Sequence, residues 1–168
     1  MASTLLPFRQ VHENDVVNLF AYDGSAATRG LLVKLDTGNG WKLSDDFGLS
    51  AVSSQTYTTS GDTAFGMLMY DVAETDENGE KLVFHPRKAH EMQVSVSGQA
   101  VPVLTKGIVL VKMDSADANS VDINAGTEAY AGDSGAIIAN GSAPAELKRV
   151  GTFLGPRDTN GEVLVKLD

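Results

Sequence analysis

Cysteine is absent from the 168 residues, so disulfides and thiolate metal sites are excluded. No apolar run reaches the ~20 residues that span a membrane as a helix. Basic residues are few, 13 against 22 acidic ones, and they are scattered. A net charge of -9 without a Lys/Arg cluster argues against nucleic acid, whose phosphates need clustered cations. The acidity reads as solubility. No amphipathic stretch is long enough for a full helix, and one helical turn between His85 and Glu91 is all the pattern allows. P-loop, dinucleotide fingerprint and paired-carboxylate cleft are all missing. The opening MASTLLPFRQVHEND has no basic segment followed by an apolar one, so it does not read as a signal peptide, and synthesis in the host cytoplasm is the expectation.

What remains is a globular composition, 42% apolar and 21% charged, with Gly 17 supplying turns. Met92, Val94 and Val96 alternate with polar residues, as along a half-buried strand. Val101 and Val103 resume the pattern around Pro102, and Ile108–Val111 follows a Lys106-Gly107 turn. Residues 92–111 therefore predict a three-stranded meander, with Pro102 at an edge or bulge. Further strands are predicted at 16–22, 30–35, 64–70, 80–84, 121–123, 127–131, 136–139, 150–154 and 163–167. Asp36–Gly40 predicts a hairpin turn returning through Trp41, which reads as a core aromatic or, less simply, a carbohydrate platform. Residues 44–63 and 114–120 read as polar loops. The fold class is all-β, a compact barrel or sandwich of about ten to twelve short strands.

Two units resemble each other. Phe65-Gly66-Met67-Leu68 before Asn78-Gly79-Glu80-Lys81-Leu82-Val83 matches Val150–Leu154 before Asn160-Gly161-Glu162-Val163-Leu164-Val165. The hairpins preceding them also have matching shapes. This divides the chain into an N-terminal arm, 1–15, and a single β domain, 16–168, with a weak internal repeat. Leu5, Leu6, Pro7, Phe8 and Val11 make the arm more apolar than a free tail needs, so it is expected to lie outside the core and dock on a partner.

Gly132-Asp133-Ser134-Gly135 resembles the nucleophile segment of chymotrypsin-like proteases. Such an enzyme needs a histidine base and an orienting aspartate before the serine. His12, His85 and His90 lack the family context, and Ala136 stands where a further glycine is usual, so the string reads as a hairpin turn. His85, His90 and Glu91 have weak metal-ligand spacing. Asp71–Glu80 hints at calcium but lacks the terminal bidentate Glu, and reads as a solvated hairpin tip. No cofactor is expected.

Gly98-Gln99-Ala100-Val101-Pro102-Val103 leading to Gly107–Val111, then Ile123–Tyr130, Gly135-Ala136-Ile137, Arg149–Leu154 and Gly161–Val165, resembles the capsid decoration (cement) proteins of tailed bacteriophages. Val16–Phe20 and Asp76–Lys88 are similar to virion proteins of marine phages. The resemblance spans about residues 16–168 and brings no catalytic motif. It implies a non-enzymatic β body on the capsid exterior, bound to the major capsid protein, often as a homotrimer, with a terminal arm as anchor. The alternatives are a small serine hydrolase using Ser134, or another virion component such as a tail-tube or head-fibre subunit.

Overall fold

The computed structural model describes residues 4–36, 54–113, 122–139 and 147–168, with only the backbone of 7–10, 36 and 54–56. Residues 37–40 of the predicted hairpin, Trp41, residues 44–53 of the predicted 44–63 loop and the 114–120 loop lie outside the described residues, and the rest of 44–63 is not all loop, since Ser54–Tyr57 is a strand. Thirteen strands are present among those described: β1 (Thr4–Gln10), β2 (Val16–Val17), β3 (Leu32–Asp36), β4 (Ser54–Tyr57), β5 (Gly66–Leu68), β6 (Asp71–Ala73), β7 (Val94–Val96), β8 (Val103–Leu104), β9 (Gly107–Lys112), β10 (Glu128–Ala131), β11 (Ile137–Ala139), β12 (Arg149–Phe153) and β13 (Glu162–Leu167). Among the described residues one α-helix, α1, covers Pro86–Glu91.

An antiparallel six-stranded sheet runs β1-β9-β13-β12-β10-β11, a five-stranded one runs β2-β8-β5-β3-β4, and β6 and β7 form a parallel pair. Both larger sheets are open in strand order, so the all-β fold is sandwich-like. Alternation fills the space between them. Val163 and Val165 on β13 lie opposite Val111 and Val109 on β9, and all four are buried. They pack with Phe153 and Ile137 from the same sheet and with Leu32, Met67 and Leu104 from the other. Each such side chain contributes roughly 1.5–3 kcal/mol on burial. Tyr22, Leu31, Val33, Leu68, Val72, Val101 and Val103 form a second cluster. Leu82, Ala89 and Val96 form a third, smaller one that joins α1 to the β6–β7 pair.

Three expectations are corrected. The segment set apart as an arm is largely strand β1, paired with β9 on the edge of the six-stranded sheet. Leu5 is 1% exposed and belongs to the main core, Val11 packs against that core, and Leu6 is half-buried. The side chains of Pro7 and Phe8 lie outside the described residues. Pro7 falls where the β1–β9 register shifts, between Leu5 and Arg9, as an edge strand permits. The expectation failed because the partner strand lies about a hundred residues further along the chain.

The meander does not form. Its three strands are dealt to three sheets: β7 beside β6, β8 between β2 and β5, and β9 between β1 and β13. The amide of Val101 donates to the Phe20 carbonyl (3.1 Å), drawing the β7–β8 connection toward residues 20–22. The Thr105 amide and hydroxyl both donate to the Asp15 carbonyl at 2.8 Å, turning the chain from one sheet into the other.

The predicted return strand at 80–84 is instead a 3-10 turn, Leu82–Phe84, that places only Leu82 in a core. The repeated turns themselves match closely. Asp76 Oδ1 accepts the amides of Asn78 (2.9 Å) and Glu80 (2.8 Å), and Asp158 Oδ1 accepts those of Asn160 (2.9 Å) and Glu162 (2.7 Å). Gly79 and Gly161 have φ of 82° and 83°, which a side chain would resist. After the turn the copies part, since Glu162 continues into β13 and Glu80 leads to the 3-10 turn.

Candidate binding groove

The departure of Leu82–Phe84 from strand geometry leaves two large apolar side chains on the surface. Leu82 points into the small core, while Val83 and Phe84 are 52% and 74% exposed. Pro86 then opens α1, where its missing N–H costs no helical hydrogen bond. Ala89 buries one side of α1 against Val96 and Leu82. Beside α1 lies a groove of about 500 Å³ lined by Tyr70, Val83, Pro86, His90 and Pro102, among others. Val94, Ser95 and Val96 of β7 line it as well.

Seven large apolar side chains are exposed among the described residues. Tyr70 and Val83 line this groove, and Leu19, Phe84 and Met92 each adjoin a lining residue in sequence. Five of the seven therefore either line the groove or neighbour a lining residue along the chain. That concentration is what separates a binding surface from scattered surface hydrophobes.

The groove wall is held by a buried carboxylate. The Asp76 side chain is 0% exposed and pairs with Lys88 of α1, which also reaches Glu80 at 3.3 Å. The Lys88 ammonium lowers the Asp76 pKa, helped by the amides of Glu80 and Asn78, and in return Asp76 raises the Lys88 pKa. This ties the Asp76–Glu80 turn to the helix. The carboxylate that hinted at calcium is thus engaged with two amides and a lysine. Among the described residues no three His, Asp or Glu side chains converge as a metal site. His85 is exposed beside α1, His90 is in the groove, and Glu91 pairs with Arg87 at 3.1 Å.

Gly132–Gly135 forms the connection between β10 and β11, a 3-10 turn over Asp133–Gly135. Ser134 is exposed in the left-handed region, φ 57° and ψ 29°. Asp133 Oδ1 accepts the Ser60 amide (2.8 Å), and the Gly135 amide donates to the buried Thr58 (2.9 Å). Among the described residues no histidine is hydrogen-bonded to Ser134; His12 Nδ1 instead accepts the Asn14 amide at 3.2 Å. The loop stitches β11 to the segment after β4. The hairpin turn predicted in the first unit lies, at Thr37–Gly40, outside the described residues.

Of the sequence-derived capsid-contact residues, Leu5 is buried and Leu6 and Val11 are half-buried. Sequence reading passed over Val83 and Phe84, because an apolar Leu-Val-Phe after an Asn-Gly turn reads as a buried strand. The following His-Pro was the available signal, since proline restricts the residue before it. The chain matches no family model, no curated protein and no solved structure.

Proposed function

We propose that this protein is a non-enzymatic subunit that binds the outer surface of a bacteriophage capsid and stabilises the head lattice. The observation that carries the reading is the exposed apolar surface around the groove, which offers a partner Val83, Phe84 and Tyr70 on an otherwise acidic, soluble body. Burying Val83 and Phe84 would contribute roughly 1.5–3 kcal/mol each. A contact of that size is weak alone and effective when repeated over a lattice. The sequence resemblance to decoration proteins supplies the partner, the major capsid protein, and the virion exterior as the location.

The test is co-sedimentation with undecorated capsids built from the major capsid protein encoded beside this chain. The wild-type chain is expected to sediment with them. Val83→Asp/Phe84→Asp, at positions outside every core, is expected to melt as wild type and bind roughly tenfold or more weakly, about 1.4 kcal/mol per tenfold. A wild-type chain that stays in the supernatant would overturn the reading. Fluorophosphonate labelling that disappears in Ser134→Ala would replace it with the hydrolase.

A further inference from the structure

We propose that the open edge of β7 takes up an extended peptide as an added strand. Among the described residues strand β7 pairs on one side only, in parallel with β6. The Ser97 amide donates to the Ala73 carbonyl (3.1 Å), which fixes the phase of the ladder. In that phase Ser95 and Ser97 turn their amides toward β6, and Val94 and Val96 turn theirs away. The Val96 carbonyl is taken by the Gln99 amide (3.0 Å). The Val94 amide and carbonyl and the Val96 amide have no partner among the described residues, and the stretch carrying them lines the groove. An unpaired edge of this kind is a template for strand addition.

The groove specifies its occupant. Among the described residues no ionisable side chain lines it apart from His90 and the Tyr70 phenol, while Asn18, Gln93, Ser95 and Gln99 add uncharged polar groups, so its complement is uncharged. Tyr70, Val83, Pro86 and Pro102 favour apolar side chains at alternate positions of the incoming strand. Prolines facing β7 are excluded, because they cannot donate. Three residues of edge span only about 10 Å. Such an edge cannot by itself reach the ~1,200 Å² of a stable globular interface. The occupant is therefore a peptide segment and not a second copy of this chain. The inference rests on the capsid reading only for the source of that segment, a strand of the capsid shell.

The test uses the full chain and a displayed library of short linear peptides. Selected peptides are expected to be uncharged and apolar at alternate positions, with Tyr70→Ala weakening their binding roughly tenfold. Bound to the ¹⁵N-labelled protein, a selected peptide should slow amide exchange at Val94 and Val96 while Ser95 and Ser97 stay unchanged. No selected peptide, protection that ignores this alternation, or protection arising from self-association without peptide would overturn the proposal. Failure of capsid co-sedimentation beside successful peptide capture would remove the capsid and leave the groove.

Discussion

Ser134 and Gly135 show how much one turn can demand of its residues. A Cβ on Gly135 would lie 2.8 Å from Leu31 Cδ2 and 2.9 Å from the Leu32 carbonyl oxygen, at a φ of +72°. Gly135→Ala is expected to cost about 1–3 kcal/mol in denaturant unfolding. Ser134→Ala, exposed and within the same turn, should change stability by less than about 0.5 kcal/mol. The string Gly-Asp-Ser-Gly was legible as a turn because turn chemistry is local. The role of Asp133 was not, since its partner Ser60 lies far away in sequence. Asp62 allows a pH test of the same region. Its hydrogen bond to Lys34 (2.8 Å), and those from the Thr59 amide and hydroxyl, lower its pKa to about 2. The stabilisation is complete above the ordinary aspartate pKa of about 3.9 and is lost as pH falls through the folded value. Acid unfolding curves of wild type and Asp62→Asn should therefore differ at pH 5 and converge near pH 2. Asp76, lowered by Lys88, adds to the same acid limb.

Elements were legible where a strand alternates and its neighbours do too. The apolar runs Ile108–Val111 and Val163–Val165 announce β9 and β13, and alternation appears there in burial, with Val109, Val111, Val163, Val165 and Leu167 turned inward. The two-residue strands β2 and β8 fall inside predicted strands, but their pairing joins residues far apart in sequence and was not legible. Strand β1 was hidden because Pro7 breaks its pattern. Leu5→Ala is expected to lower stability by about 2–5 kcal/mol, the cost of emptying a buried leucine site. Deleting residues 1–12 should collapse the thermal transition, since it also bares the β9 edge; an unchanged melt would restore the free arm. The glycines of the two similar units, Gly66 and Gly151, have a common use that sequence comparison did not reveal. A Cβ on Gly66 would run into the Leu104 carbonyl oxygen, and one on Gly151 into that of Lys166. Gly151→Ala is expected to destabilise by at least 1 kcal/mol or so, like other overpacked sites, measurable as a lower denaturant midpoint at unchanged slope.

Across the whole molecule, composition and alternation were enough for an all-β body, and the sandwich follows from how its strands are shared out. What they could not supply was strand order, because period-2 patterning says which face is buried and not which neighbour lies beside it. The groove depends on that order, since the open edge of β7 exists only because β7 left the meander. The placement of β9 has a consequence for how the chain is made. Strand β9 sits between β1, synthesised early, and β13, whose first residue, Glu162, follows Lys112 by 50 positions. A nascent chain can hold β1 and β9 together, but the inward valines of β9 keep one flank bare until residues 162–167 leave the ribosome. The six-stranded sheet is thus completed only after synthesis has passed β13. Until then the half-built sheet carries an unpaired strand edge, the kind of surface through which partly folded chains associate.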